Sequence, residues 1–342
     1  MRYRKPLFSV LGFVVLLAAI ALMDWLYWRP HLLLKEGSTL PVLPSSLTTD
    51  RIGIFNSRDF CPDIQPTFDT NALQQETNTL RTELIEHPND LCVGNRFRQG
   101  IRMLTILRNQ FAISVGSLPP ELASLVKPDQ GSGNSLPLTE DDTPTNSSDA
   151  SEPVATFAPL DKKTSSSETA LQLGLSYVDL MIREGGREQK AKLSSHSIES
   201  LTAAIKINPY SIGALYGRGL NYLYWPTLAG KLPFAVRDLK TCIALSRLPG
   251  LQLPLPKIVS ASYLALGDVY VKLADSSLSA TEKRAFLGLA RQWWQVGLQS
   301  FPNDASIEER LSLSDQDLVR HVNEARGLET YINDDLNLLW RR

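Results

Sequence analysis

The sequence predicts an all-α chain that opens with one apolar helix and continues as helical hairpins. Apolar residues recur at helical spacing over most of the chain, whereas the alternation typical of strands and the Asn-Gly and Asp-Gly turns typical of β-hairpins do not occur. At 342 residues the chain exceeds the usual size of one globular domain, so we expect more than one folded unit.

Charge and cysteine content exclude several functional classes. The formal net charge is −1, with 35 basic and 36 acidic residues, so no overall field attracts nucleic acid. Three cysteines in a chain of this length do not make a disulfide scaffold, and no C-x-x-C pair points to zinc or redox chemistry. We therefore expect neither a nucleic-acid partner nor a bound metal.

Residues 1–30 are predicted to be a transmembrane anchor. Three basic residues within the first five precede an apolar run over 6–28, and its 23 positions can cross a hydrocarbon core of about 30 Å. The run ends in aromatic residues at 25–28, where an interfacial belt belongs. The basic flank places the N-terminus in the cytoplasm and the bulk of the chain outside it, in the periplasm if the protein is bacterial.

A cleaved signal peptide is the alternative for the same segment. Ala19-Ile20-Ala21 satisfies the small-x-small rule for cleavage. The apolar character continues past this site to Leu26, which favours the anchor.

Three segments follow the anchor. Residues 31–50 are rich in Pro, Ser and Thr and are predicted to be a spacer above the membrane. Residues 51–126 are predicted to be a helical segment, with helices over Thr70–Glu86 and about 91–114. Residues 127–167 are dominated by Gly, Ser, Thr, Pro and Asp, so we expect a disordered linker there.

A motif with a glycine inside a helix recurs three times after this linker. Its clearest copy is Tyr263-x-x-Leu266-Gly267-x-x-Tyr270, followed by Ala290-x-x-x-Trp294. The other two copies place Gly174 before Ser197-x-x-x-Leu201, and Gly219 before Ala235-x-x-x-Leu239. Because glycine costs about 1 kcal/mol in a helix relative to alanine, its recurrence in one register indicates close packing against a second helix.

This pattern resembles the tetratricopeptide repeat (TPR), a helix–turn–helix unit that stacks into an α-solenoid. The resemblance covers residues 168–306 as three repeats, and a degenerate further repeat in 51–126 is suggested by the echo of Phe301-Pro302-Asn303-Asp304 in His87-Pro88-Asn89-Asp90. The motif halves are farther apart than in the family, so we expect lengthened helices or enlarged turns. Residues 307–342 are predicted to form capping helices at the exposed end of the stack.

The resemblance implies a binding groove along the first helix of each repeat. By register the groove is largely apolar and aromatic, and its predicted residues are Leu171, Leu175, Tyr216, Leu220, Leu223, Tyr224, Leu264, Asp268 and Lys272. Such a surface fits a protein partner. The alternative is that the chain's own helices fill it.

No catalytic or cofactor-binding residues are predicted. The four histidines are scattered, and neither a phosphate-binding loop nor a nucleophile motif occurs. Cys61 and Cys92 are candidates for a disulfide if this part of the chain lies in an oxidising compartment. Cys242 is expected to be a buried apolar residue.

The expected function is that of a non-enzymatic, membrane-anchored scaffold. It would dock a protein partner, itself associated with the membrane, in the assembly or stabilisation of an envelope or membrane complex. The alternative, from another class, is a solute- or lipid-binding TPR component of a transport system that uses the same groove for a small apolar ligand.

Overall fold

The computed structural model describes residues 29–48, 69–112, 148–181, 187–248 and 256–324. These residues form twelve α-helices and one short 3₁₀ helix without any strand, which confirms the all-α prediction for them. In chain order the helices are α1 (Arg29–Lys35), α2 (Thr70–Glu86), α3 (Leu91–Ala112), α4 (Ser148–Thr164), α5 (Ser167–Met181), α6 (Arg187–Ile207), α7 (Ile212–Tyr224), α8 (Leu232–Ser246), α9 (Pro256–Ser276), α10 (Ala280–Ser300), α11 (Ala305–Ser312) and α12 (Asp315–Glu324), with the 3₁₀ helix at Thr227–Ala229.

The described residues belong to two compact units. The middle unit contains α2 to α6 and the start of α7 up to Gly217. The end unit contains α1 together with the described residues from Arg218 to Glu324. The predicted helices at 70–86 and near 91–114 are α2 and α3, and α2 has the predicted bounds.

The prediction of a disordered linker over 127–167 is wrong for the second half of that range. Residues 148–164 form α4 even though two prolines lie inside the helix. The Phe157 side chain of α4 is fully buried and meets Phe97 of α3 edge to face, with 6.1 Å between ring centroids. Burial of such a side chain stabilises the folded state by roughly 1.5–3 kcal/mol. This stabilisation favours a folded helix in a segment whose composition is typical of disorder. Residues 127–147 lie outside the described residues.

Each recurring glycine lies where the first helix of a pair crosses the second. A Cβ would stand 2.7 Å from Leu201 Cγ at Gly174, 3.0 Å from Leu239 Cγ at Gly219, and 2.1 Å from Trp294 Nε1 at Gly267. The contacted residue is in each case the large residue of the second-helix motif. The prediction was only that each glycine packs closely against the second helix. The separation is 27 residues in the first and third pairs and 20 in the second. The two separations differ by seven residues, which is about two helical turns, so the second helix presents the same face to the glycine in every pair.

The predicted stacking of neighbouring helix pairs is therefore confirmed within each unit. In the middle unit α5 packs against α6, and α2 against α3. In the end unit α9 packs against α10 on one side and against α8 on the other.

Lengthened helices or enlarged turns were predicted for each pair, and the third pair has lengthened helices. Here α9 and α10 are each 21 residues long and residues 277–279 connect them, so the extra length lies in the helices. Ser279 is the N-cap of α10, and its hydroxyl accepts a hydrogen bond from the Thr281 N–H. The second pair does have an enlarged turn, made by the 3₁₀ helix and by Gly230 at φ 64°.

The C-terminal segment is helical as far as Glu324, and residues 325–342 lie outside the described residues. Helix α11 packs against α10, and α12 against α9, through buried Ile307, Leu318 and Val322. The capping role predicted for residues 307–342 stays a prediction.

Among the helices that the structure describes, none has the length and apolarity needed to cross a bilayer. The predicted anchor at 1–30 lies outside these residues except for its last two, which begin α1.

Candidate functional site

The residues predicted to line a groove are mostly buried inside their own units. In the middle unit Leu171, Leu175 and Tyr216 are at most 2% exposed. In the end unit Leu220, Leu223, Leu264 and Asp268 are buried, and only Tyr224 and Lys272 of the nine retain partial exposure. The burial of these residues contradicts an open apolar groove at these positions.

Arginines from other helices form hydrogen bonds at two of these positions, Leu175 and Asp268. In the middle unit α3 covers α5, since Arg98 binds both the Asp179 carboxylate (Nε–Oδ2 2.7 Å) and the Leu175 carbonyl (3.4 Å). In the end unit α11 covers α9, since Arg310 forms two hydrogen bonds to Asp268, of 2.8 and 3.1 Å.

Three of the predicted groove residues do come together, in a contact that is internal. The Lys272 ammonium donates to the Leu223 carbonyl at 2.9 Å and lies 5.4 Å from the centre of the Tyr224 ring. The lysine thus joins α9 to the C-terminal end of α7.

The cysteines differ in state. Cys92 is disulfide-bonded, and its predicted partner Cys61 lies outside the described residues. Cys242 is a buried free thiol, as predicted, and burial raises its pKa well above the ordinary value.

The predicted spacer at 31–50 contains a segment that packs on the end unit. We call residues 32–42 the docked segment. Its centre, Gly37, is buried, and the Gly37 carbonyl accepts hydrogen bonds from Trp293 Nε1 (2.8 Å) and Tyr270 Oη (3.1 Å). A Cβ on Gly37 would lie 2.4 Å from Leu289 Cδ1 and 2.9 Å from the Leu33 carbonyl oxygen, so the absence of a side chain favours this approach. A simple spacer is therefore wrong for this part of the chain.

A cleft of about 440 Å³ lies between the docked segment and the first half of α8. Apolar side chains line the cleft on both sides, and its charged lining residues are two cations and one acid. The lining residues are Leu33, Glu36, Thr39, Leu40 and Pro41 from the docked segment and Pro233, Val236, Arg237 and Lys240 from α8.

Lys240 is the buried charge of this cleft. Its residue is 6% exposed, and its ammonium donates to the Glu36 carbonyl and lies 5.6 Å from the centre of the Trp293 ring. Burial lowers the pKa of Lys240 to about 8, although the charge of Glu36 acts in the opposite direction. Among the described residues, no carboxylate forms an ion pair with Lys240.

Arg237, the second cation, is partly free to reach a ligand. Its side chain is 61% exposed and stacks over Phe234 at 5.5 Å. Its neighbour Asp238 is already held by Arg218 through two hydrogen bonds, of 2.7 and 2.9 Å, so the contact between Arg237 Nε and Asp238 (3.4 Å) is secondary.

Nothing in this arrangement is suited to hold a metal, since no group of three or more potential metal ligands occurs in the described part of the chain. The chemistry that the cleft offers is hydrogen bonding and charge attraction beside apolar walls.

Sequence reasoning missed the cleft, although one signal was present. Lys240 lies four residues after Val236 and four before Ala244, on the buried stripe of α8. A lysine in an apolar stripe indicates a specific partner for its charge.

Scans against models of known protein families, and searches of curated proteins and of solved structures, find no match to this chain.

Proposed function

We propose that this protein is a TPR-like helical scaffold, held at a membrane by residues 1–30, that binds a membrane-associated protein partner. The observation that carries the proposal is the docked segment. It is fixed on the end unit at Gly37, yet it exposes Leu32 and Val42 at 53% and 98%. These are two of the six large apolar side chains that are well exposed among the described residues.

The position of the segment supports a membrane-proximal partner. Helix α1 begins directly after the apolar run that ends at Trp28, and the docked segment begins within α1. If the run spans the bilayer, Leu32 and Val42 lie close to its surface, where the extramembrane part of another membrane protein would meet them.

The helix pairs support the scaffold role through rigidity. Glycine-mediated contacts and buried Arg–Asp pairs hold each unit in one arrangement, so binding costs little ordering within a unit. The partner would then contact a preformed surface.

Site-specific photo-crosslinking of the full chain in its native membrane tests this proposal. A photoreactive amino acid replaces Leu32 or Val42 in turn, and Leu228 and Leu278, which are exposed at 85% and 89%, serve as matched controls. We expect one discrete adduct from the first two positions and none from the controls. Equal labelling from all four positions, or none from Val42, would contradict a partner at the docked segment.

Membrane attachment is tested separately by alkaline carbonate extraction. The full chain should stay in the pellet, whereas its release into the supernatant would refute the anchor. The crosslinking result tests the protein partner independently of this outcome.

A further inference from the structure

We propose that the cleft between the docked segment and α8 binds a small molecule that carries one carboxylate on a short apolar body, with Lys240 as the residue that receives the carboxylate. This inference does not depend on the protein partner proposed above, because it concerns the cleft itself and not the exposed residues Leu32 and Val42.

The charge of Lys240 is the first argument. A lysine ammonium has three donors, and one of them is used by the Glu36 carbonyl. A cation–π interaction with the Trp293 ring compensates part of the Lys240 charge. A cation buried to this extent without an ion-pair partner among the described residues is costly, and an anion in the cleft would remove that cost.

The walls supply the second argument. Leu33, Leu40, Pro41, Pro233 and Val236 surround the cleft with aliphatic surface. A phosphate or sulfate alone would leave this surface uncovered, whereas a carboxylate with an aliphatic tail covers it. A volume of about 440 Å³ lies within the range of small-molecule sites, about 300–1,000 Å³.

The balance of charge limits the ligand to one negative group. Arg237 and Lys240 give two positive charges, and the carboxylate of Glu36 at the rim gives one negative charge. A single carboxylate neutralises the remainder. A second one would be repelled by Glu36.

The test titrates the full chain, reconstituted in lipid nanodiscs, with hexanoate by NMR and calorimetry. Hexan-1-ol and hexylammonium are the matched uncharged and cationic probes. We expect hexanoate to bind at least about tenfold more tightly than either, since only the carboxylate can form a charge-assisted hydrogen bond with the Lys240 ammonium. Absence of hexanoate binding, or equal binding of the alcohol, would overturn the proposal.

Variants identify the residue. Lys240→Met should weaken hexanoate binding at least about tenfold. Lys272→Met is the matched control, because Lys272 also donates to a backbone carbonyl and lies over an aromatic ring, but outside the cleft. Its affinity should stay within about twofold of the wild type. An equal loss of hexanoate affinity in both variants, or no loss in Lys240→Met, overturns the assignment of Lys240 as the residue that binds the carboxylate.

Glu36→Gln keeps the test decisive if Lys240→Met undocks the segment. The Glu36 side chain is exposed, and its backbone carbonyl still accepts from Lys240 in this variant. Removal of the like charge should tighten hexanoate binding by about twofold or more, whereas unchanged affinity would count against a carboxylate in the cleft.

Discussion

The indole ring of Trp294 occupies the space that a Cβ on Gly267 would need. The ring is fully buried, and its Nε1 donates to the Leu264 carbonyl at 3.1 Å, one turn before the glycine on α9. The glycine thus leaves room for the ring beside α9, where it makes this hydrogen bond. The same crossing recurs with leucine in place of tryptophan at Gly174 and Gly219.

Gly267→Ala should destabilise the protein by about 1–3 kcal/mol, because the new methyl group must displace a fully buried ring and break its hydrogen bond. Urea unfolding of the full chain measures the effect. Gly288→Ala is the matched control on α10, since a Cβ there has no neighbour within 4 Å. It should be neutral or stabilise by up to about 1 kcal/mol. Equal stability of the two variants would refute the packing role of Gly267.

Helix crossings could be predicted from the sequence because the motif itself carries the geometry. A glycine in one helix and a small-x-x-x-large pattern in the next specify both sides of a contact between chain neighbours. The state of the predicted groove could not be predicted in this way. Contacts at two of its positions come from Arg98, which reaches Leu175 across 77 residues, and from Arg310, which reaches Asp268 across 42.

Composition misled in two segments for a common reason. Residues 148–164 and 32–42 are rich in residues typical of loops, yet Phe157 in the first and Gly37 in the second make contacts that fix the backbone. Average composition does not reveal a single anchoring residue. The cleft beside Gly37 was missed together with the docked segment, since about half of its lining residues belong to that segment.

Asp268→Asn should destabilise the end unit by about 3–5 kcal/mol, because it leaves the buried Arg310 guanidinium without its counter-ion. The double variant Asp268→Leu, Arg310→Met removes both charges and should recover most of this loss. Chemical denaturation of the two variants and the wild type measures both effects. If the double variant is as unstable as the single one, the pair contributes through something other than charge.

Asp179 should make the middle unit sensitive to acid. Burial acts to raise the pKa of its carboxyl, but Arg102 and Arg98 outweigh burial and hold the pKa below its ordinary value. The unfolded chain therefore binds this proton at a higher pH than the folded one does. The stabilisation is complete above the unfolded pKa of about 3.9 and is lost as the pH falls through the folded value.

Asp179→Asn mimics the protonated carboxyl and should abolish this contribution. The difference in unfolding free energy between wild type and variant should be largest near pH 7 and should shrink below pH ~4. Glu188→Gln on α6 is the control, since its ion pair with Lys192 is exposed and contributes about 0.5 kcal/mol at most. A difference for Asp179→Asn that stays constant down to pH ~2 would contradict the ion pair as its source.

The thiols should divide into one protected residue and one disulfide. Native protein should not react with a thiol reagent at neutral pH, because Cys242 is buried and its pKa is raised. Unfolding without reductant should release one thiol if Cys61 pairs with Cys92, and reduction should bring the number to the three cysteines of the chain. Three thiols without reductant would contradict the disulfide.

Gly37→Ala should release the docked segment, because the added methyl group overlaps Leu289 and stands 2.9 Å from the Leu33 carbonyl. Trp293 Nε1 would then lose its acceptor and the ring would meet water. We expect a red shift of tryptophan emission and a lower thermal midpoint. Trp293→Phe, which removes the donor but keeps an aromatic ring, should reproduce the loss of stability in part, at about 1–2 kcal/mol. If Gly37→Ala leaves both emission and midpoint unchanged, the segment is not fixed by this contact, and Leu32 and Val42 lose the rigid support on which the proposed partner site depends.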